Sequence, residues 1–150
     1  MIQSYPQDFE AQTIGIKFPM NGKNGRTFFN TSKTTEEQAV TNYINLLLTK
    51  PGERIMHPTY GIGIQLYLFE PNTERIRQNI EFAISSQADY WLPYITNHKI
   101  EVRERADLPG LNADPEQAIH IVITFSVGNS NANQTITVFQ RGGLIATSVN

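Results

Sequence analysis

One segment, Lys50 to Pro71 (KPGERIMHPTYGIGIQLYLFEP), constrains the possible folds of this chain more than any other. It holds three of the eight prolines and three of the ten glycines, which exclude one continuous helix. It also carries large apolar side chains, for which we expect burial: Ile55, Met56, Tyr60, Ile62, Ile64, Leu66, Tyr67, Leu68 and Phe69. The segment is therefore predicted to be a compact connector that docks the helices on its two sides.

A helix is predicted immediately before this connector. Thr34 and Glu37 have the spacing of a capping box, which satisfies free backbone N–H groups at a helix start. Pro51 and Gly52 end the helix. Its apolar residues recur at helical spacing and predict one buried stripe: Val40, Tyr43, Ile44, Leu47 and Leu48.

A second helix is predicted after the connector, with Asn72 or Thr73 as its N-cap. It runs to about Leu92, because Pro93 disfavours helical geometry at the residue before it. Its predicted buried face, which Trp91 extends, comprises Ile76, Ile80, Ala83 and Ile84.

Alternating apolar residues and turn signals predict five strands, at residues 13–20, 26–29, 99–105, 118–127 and 134–139. The first two form a hairpin around the turn at 21–25. The strongest strand is the fourth, in which every second residue is apolar: Ile119, Ile121, Ile123, Phe125 and Val127. We therefore expect an α+β fold, with two helices packed on a small antiparallel sheet and an N-terminal β-hairpin.

The two ends of the chain are predicted to lie outside the main domain. Residues 1–12 are polar and indicate a flexible N-terminal arm, whereas residues 13–142 form a single α+β domain. Residues 143–150 form a tail with strand propensity and no obvious partner strand within the chain. Such a tail can add to a sheet edge on another subunit, or it can remain disordered.

The composition excludes several classes of site. The 150-residue chain has a net charge of −2, so it has no basic field to attract nucleic acid or an anionic membrane surface. It has no cysteine, which excludes disulfides, thiolate catalysis and zinc–thiolate sites. No apolar run approaches the ~20 residues needed to span a bilayer, and we expect no signal peptide at the N-terminus. No cofactor is expected.

Two patterns that could bind a cofactor or a metal are better explained otherwise. Gly61-Ile62-Gly63 lacks the other elements of a dinucleotide site, so turn geometry is favoured. His98 and His120 lie on neighbouring predicted strands and could lie across from each other. They lack a third ligand at suitable spacing, so solvated strand positions are favoured over a metal site.

Glu53 and Glu70 flank the connector and are the best candidate pair of catalytic carboxylates. Two carboxylates ~5–9 Å apart, one of them in an apolar pocket, can hydrolyse a glycosidic bond. The favoured alternative is that Glu53 pairs with a nearby arginine such as Arg54, while Glu70 lies at the approach to the second helix.

Two places in the sequence are candidates for contact with a partner. Aromatic residues around Pro93 either pack at the helix end or anchor an interface. The β-prone tail is the second place. The candidate contact residues are Trp91, Pro93, Tyr94 and Ile95 near the helix end, and Leu144, Ile145 and Val149 in the tail.

The connector and its flanks also carry a motif that resembles a known family. The motif residues are Pro51, Gly52, Glu53, Arg54, Pro58, Gly61, Gly63, Phe69, Glu70 and Pro71, with Leu47, Leu48, Met56, Tyr60 and Leu68 beside them and GIKFP upstream at 15–19. This run is similar to that of the protein-W-like, or tail-lysozyme-like, baseplate wedge family of contractile phage tails. Baseplate components of type VI secretion systems are similar to the same family. The resemblance covers roughly residues 14–127.

The chain departs from that family at the end of the second helix. Members often carry a Glu-Pro-Arg triplet there, whereas this chain has Leu92-Pro93-Tyr94. We expect an apolar contact from Trp91 and Tyr94 in place of a charged one.

The resemblance implies a structural, non-enzymatic role. The chain would be a wedge subunit of a virion tail baseplate, made in the host cytoplasm, that joins baseplate to sheath and initiates sheath assembly by strand exchange. The implied partners are other baseplate wedge proteins, tail sheath subunits, and the tail tube or hub. Two alternatives stay open: a tail lysozyme that cleaves peptidoglycan with Glu53 and Glu70, and a small module that binds an unrelated partner through the aromatic helix end.

Overall fold

A computed structural model describes residues 13–17, 29–67, 70–71, 73–104, 119–128, 133–141 and 144–149; at 97, 98, 103, 104, 119, 139–141 and 144–149 it describes the backbone. The predicted N-terminal arm and the predicted turn at 21–25 lie outside the described residues, as do residues 105–118. The elements in chain order are β1 (Gly15–Ile16), β2 (Thr31–Ser32), α1 (Thr35–Leu48), α2 (Ile64–Tyr67), α3 (Glu74–Trp91), β3 (Ile95–Glu104), β4 (Ile119–Val127), β5 (Asn133–Arg141) and β6 (Leu144–Val149).

Two antiparallel sheets accompany the helices. β1 pairs with β2, and the larger sheet has the order β3-β4-β5-β6 with antiparallel neighbours throughout. The predicted α+β class and the N-terminal hairpin are therefore confirmed. The second strand of the hairpin is Thr31–Ser32 and not 26–29, of which residues 26–28 lie outside the described part of the chain.

α1 forms as its caps and its apolar spacing predict. The Thr34 side chain accepts a hydrogen bond from the Glu37 backbone N–H at 3.2 Å. The Glu37 carboxylate accepts from the Lys33 N–H at 3.0 Å, one residue earlier than a standard capping box would place it. Leu48 is partly buried, and the rest of the predicted stripe is fully buried: Val40, Tyr43, Ile44 and Leu47.

α3 begins at its predicted cap and stops at the predicted proline. The Thr73 side chain accepts from the Ile76 N–H at 3.4 Å, and Leu92 is the C-cap immediately before Pro93. Ile80 and Ile84 are fully buried, as predicted. The other predicted members of this face are only partly buried: Ile76, Ala83 and Trp91.

β4 is one of the two inner strands of the large sheet, with β3 on one side and β5 on the other. Its predicted alternation is confirmed, because Ile121, Ile123 and Phe125 are completely buried. The Phe125 ring stacks on Tyr43 of α1, with centroids 5.0 Å apart, and this contact joins the helices to the sheet. The predicted solvated position of His120 is wrong, since that residue is only 5% exposed.

The connector between α1 and α3 is compact only in its second half. Backbone N–H groups of Ile62 and Gly63 bond to the carbonyls of Leu46 and Thr49, at 3.0 and 2.8 Å, and so satisfy the end of α1. Tyr60, Ile62 and Ile64 are buried, and Ile64 opens the short helix α2, which the sequence did not predict.

The predicted burial of the whole apolar run in the connector is wrong. Ile55 is 95% exposed, Met56 84% and Leu66 54%, while Leu68 and Phe69 lie outside the described residues. The reason is local: the Gly52 N–H bonds to the Pro58 carbonyl at 2.8 Å, so the residues between them form a closed turn on the surface.

The C-terminal tail has a partner within the chain. β6 pairs with β5 along its whole length, from Arg141 opposite Leu144 to Ile136 opposite Val149. Its strand propensity is confirmed, and the expectation that it lacks an internal partner strand is wrong. Both strands are continuous with the main sheet. Among the described residues, no helix has the length and hydropathy to cross a bilayer.

Candidate contact surface

Four rings form a cluster where the connector meets the end of α3. Trp91 is at its centre, and the ring centroids of His57, Tyr60 and Tyr90 lie 5.4, 5.2 and 5.0 Å from it. All three pairs meet edge to face, which is a favourable arrangement for aromatic quadrupoles. We refer to His57, Tyr60, Tyr90 and Trp91 as the aromatic cluster.

Arg54 covers the outer side of this cluster. Its guanidinium lies 3.7 Å from the centroid of the Tyr60 ring, a cation–π geometry. Burial raises the pKa of the Tyr60 phenol above its usual value, although the Arg54 charge acts to lower it. The ring therefore stays neutral beneath its cation at physiological pH.

Tyr94 connects the cluster region to the N-terminal hairpin. Its hydroxyl accepts a hydrogen bond from Asn42 Nδ2 at 2.8 Å. Asn42 Oδ1 accepts in turn from Gln38 Nε2 at 2.9 Å, and the Ser32 hydroxyl donates to Gln38 Oε1. A polar chain thus runs from β2 across α1 to the turn between α3 and β3.

The predicted contact residues at the helix end are only partly at the surface. Pro93 is exposed, Tyr94 is 40% exposed and Trp91 is partly buried. Ile95 is 4% exposed and belongs to the core, so its side chain is not available to a partner. The predicted tail residues all lie in β6, where the structure describes the backbone: Leu144, Ile145 and Val149.

Sequence reasoning missed the most exposed apolar residues of the described chain. We refer to Ile55 and Met56 as the apolar tip, and both stand on the turn closed by Gly52 and Pro58. The signal for this position was present, because a Pro-Gly pair and a second proline seven residues later are typical of a surface turn.

The motif residues shape the connector. Gly61 has a φ of +108°, and a Cβ there would collide with the Thr49 carbonyl at the end of α1. Gly63 also has a positive φ, of 63°. Phe69 lies outside the described residues, and Glu70 and Pro71 are exposed just before α3.

The two candidate catalytic carboxylates, Glu53 and Glu70, are both exposed. The Glu53 carboxylate accepts from the Lys50 N–H at 2.9 Å, and the expected partner Arg54 lies on Tyr60 instead. A groove of about 370 Å³ lies between the connector and α3, and neither Glu53 nor Glu70 is among the residues that line it: Pro51, Gly61, Ile62, Tyr67, Asn79, Phe82, Ala83, Ser86 and Gln87.

His98 and His120 do not face each other. His120 lies opposite Arg103, whereas His98 is at the irregularity between Asn97 and Lys99 at the other end of β3. Within the described parts of the chain, no group of His, Asp or Glu side chains is arranged to hold a metal ion.

Comparison with known proteins relates this fold to contractile machines. Residues 34–132 match the family described as baseplate wedge protein gp25. A crystal structure from Geobacter sulfurreducens, named as a candidate tail lysozyme, is 22% identical, with a TM-score of 0.59 over 73% of this chain and 92% of that one. A chain of the anti-feeding prophage baseplate, solved by cryo-EM with 6-fold symmetry, is 21% identical, with a TM-score of 0.57 over 77% of this chain and 86% of that one. No curated protein sequence matches significantly.

Proposed function

The chain belongs to the family of baseplate wedge protein gp25, and on that premise we propose that it joins the baseplate to the sheath and initiates sheath assembly by strand exchange. Family membership makes it a structural component of a baseplate in a contractile, phage-like particle. Other baseplate proteins are its partners. The sheath subunit as a direct partner, and strand exchange as the mechanism, are the proposal.

The position of β6 is the observation that supports strand exchange. β6 is the outermost strand of the described sheet, and β5 is its neighbour on the inner side. Residues 144–149 (LIATSV) contain no charge, proline or glycine, so they lack the features that usually block pairing at a sheet edge. A strand from a sheath subunit would add to β6 by backbone hydrogen bonds, as in β-augmentation.

The described members of the buried core all precede β6. The residues matched by the family end at 132, before β5 begins, and the last described member of the buried core is Val138. On this proposal, the tail acts on a partner while the described core keeps its packing.

Deletion of residues 143–150 tests this proposal. We expect the truncated chain to keep its unfolding transition and to enter baseplates, while sheath polymerisation on those baseplates is lost. Purified baseplates would be mixed with sheath subunits and sheath length measured by electron microscopy.

A matched control keeps the strand but changes its side chains. A variant with residues 144–149 in scrambled order retains length and composition, so backbone pairing should continue and sheath should still grow. Normal sheath on baseplates that carry the deletion would rule out β6 as the starting strand.

The exposed part of the α3 end supports a second contact. Pro93 and Tyr94, with Trp91 behind them, present an apolar and aromatic surface that we assign to another wedge protein, or to the tube or hub. Glu53 and Glu70 are both exposed and neither lines the groove between the connector and α3, so they give no support to the tail-lysozyme alternative.

A further inference from the structure

We propose that the apolar tip, Ile55 and Met56, is an anchor that inserts into an apolar pocket rimmed by carboxylates on a neighbouring baseplate protein. This inference rests on the proposed baseplate role and names a surface and a partner chemistry for it. The surface is separate in sequence from β6 and from the Trp91–Tyr94 region.

The exposure of the tip is the first observation. Ile55 and Met56, at 95% and 84%, are the most exposed of the large apolar residues that the structure describes. Two adjacent apolar side chains at this exposure contribute little to the folded monomer, and they gain water-free surroundings only when another surface covers them.

The tip is held in place by the turn beneath it. The Gly52 N–H bonds to the Pro58 carbonyl at 2.8 Å, and the His57 N–H bonds to the Arg54 carbonyl at 3.2 Å. The Glu53 carboxylate closes the same turn by accepting from the Lys50 N–H at 2.9 Å. An ordered tip loses little conformational entropy on binding, which is the property of a preorganised anchor.

The aromatic cluster supports the tip from behind. His57 follows Met56 directly and packs edge to face on Trp91, while Arg54 precedes Ile55 and lies on Tyr60. The residues on both sides of the tip are therefore fixed to α3 through the rings of the aromatic cluster.

The charge around the tip indicates the chemistry of the pocket rim. Lys50 and Arg54 are positive and Glu53 is negative, so the turn carries 2 − 1 = +1, whereas the whole chain carries −2. The Glu53 carboxylate is engaged by the Lys50 N–H, and among the described residues no carboxylate pairs with the side chains of Lys50 or Arg54. Carboxylates on a partner would complement both cations.

The same charge argues against a second copy of this chain as the occupant. A two-fold contact places the same surface on both subunits, so a tip-to-tip dimer would bring Lys50 and Arg54 near their own copies. Like charges facing each other oppose such a contact. A different protein with an acidic rim is the better fit.

Binding to baseplates assembled without this chain tests the inference. We would add wild-type protein, the double variant Ile55→Ser/Met56→Ser, or the control Phe82→Ser to such purified particles and measure bound protein per particle. Phe82 is also exposed, at 76%, but it lies on α3. We expect at least a tenfold loss of affinity for the double variant, near-wild-type binding for the control, and an unchanged unfolding midpoint for both.

A charge variant tests the acidic rim of the partner pocket separately from its apolar interior. Lys50→Glu should slow association and weaken the dependence of the association rate on salt, because attraction between opposite charges acts mainly on the encounter. Dissociation should change less.

The outcomes separate this inference from the proposed function. Failure of the wild type to bind the particles would contradict the baseplate role and the anchor with it. Binding of the double variant at wild-type affinity would overturn the anchor alone, as would an equal loss for Phe82→Ser. Self-association of the isolated chain in sedimentation, abolished by the double variant, would assign the tip to a second copy instead.

Discussion

Gly61 lies where the connector turns back beneath the end of α1. Its φ of +108° is in the region that side chains rarely adopt, and an added Cβ would collide with the Thr49 backbone. The next residues donate to the last carbonyls of α1, so the position of Gly61 sets how the connector closes that helix. A turn glycine was predicted from sequence, but the close approach to α1 is a property of the folded chain.

Substitution of Gly61 should separate two costs of an added Cβ: backbone strain at positive φ and collision with the Thr49 carbonyl. We expect Gly61→Ala to destabilise the chain by about 3 kcal/mol, since backbone strain of ~1–3 kcal/mol is added to a backbone clash. Gly52→Ala is the matched control, because Gly52 also has a positive φ, of 90°, but no atom within 4 Å of an added Cβ. Urea unfolding of both variants measures the difference, and equal losses would show that collision contributes nothing.

The burial of individual side chains was the hardest property to predict from sequence. Apolar character alone indicated burial for Ile55 and Met56, yet a turn closed from Gly52 to Pro58 places them outside. His120 failed in the opposite direction, because its strand has neighbours on both sides. The exposure of Ile55 and Met56 follows from the backbone of a closed turn, and the burial of His120 follows from strands distant in sequence; side-chain type encodes neither.

At the scale of elements, the described residues of the N-terminal hairpin, 13–17 and 29–32, meet α1 through polar contacts. Lys17 Nζ forms an ion pair with Glu37 at 2.9 Å, and the β1–β2 pairing has only two residues in each strand. Ile14, Ile16 and Phe29 are each about half exposed, so little apolar burial adds to the attachment. Elements attached in this way open locally before the core does.

The attachment of the hairpin should weaken at acid pH. The Lys17 ammonium and the Lys33 N–H lower the pKa of the Glu37 carboxyl in the folded chain. The stabilisation that the Glu37 carboxylate provides is therefore complete above its pKa in the unfolded chain, about 4.3. It is lost as the pH falls through the lower pKa of the folded chain. Both side chains are more than a third exposed, so solvent screening limits the effect to about 0.5 kcal/mol.

Hydrogen exchange of the Ile14 and Lys17 amides measures this effect. Both amides donate to carbonyls around β2, at 3.0 and 2.8 Å. We expect their protection factors to fall about twofold between pH 6 and pH 3. In the Glu37→Gln variant, the protection factors should equal the wild-type pH 3 value at both pH 6 and pH 3. Glu36→Gln, on the same helical turn, is the control. A fall in the β4 amides of equal size would mean that the acid effect is global.

Helices and central strands were predictable because local signals agree with the packing. Thr34 and Thr73 cap α1 and α3 as their positions indicate, and Pro93 limits α3. The pairing of β6 was not predictable, since β-propensity in 144–149 does not say which edge the strand will join. The short α2 was missed because four residues carry too little periodicity.

At the scale of the whole molecule, the helices and the sheet share one buried core, and a stacked pair of aromatic rings lies between α1 and β4. Tyr43 and Phe125 are both fully buried and stack with ring planes 17° apart. Phe125 also lies on β4, an inner strand of the sheet, so its packing is shared by both layers. The two helices on an antiparallel sheet were predicted from periodicity, whereas this ring pairing needed the three-dimensional register.

Truncation of Phe125 should destabilise the whole domain. We expect Phe125→Ala to cost about 3–5 kcal/mol, as for large aromatic side chains removed from a core, and Phe125→Leu to cost less than about half of that. Phe82→Ala is the exposed control and should fall within about 0.5 kcal/mol of wild type. Urea unfolding followed by tryptophan fluorescence reports the change; a small loss for Phe125→Ala would place the core contact elsewhere.

The outermost position of β6 also affects the tendency of the chain to aggregate before it is assembled. An uncharged strand of six residues without proline, at the border of a sheet, is the kind of segment from which cross-β aggregates grow. If β6 pairs with a sheath strand as proposed, the same edge is open to the β6 of another copy. On that proposal, we expect the subunit to precipitate more readily when it is made in excess of the partner that covers β6.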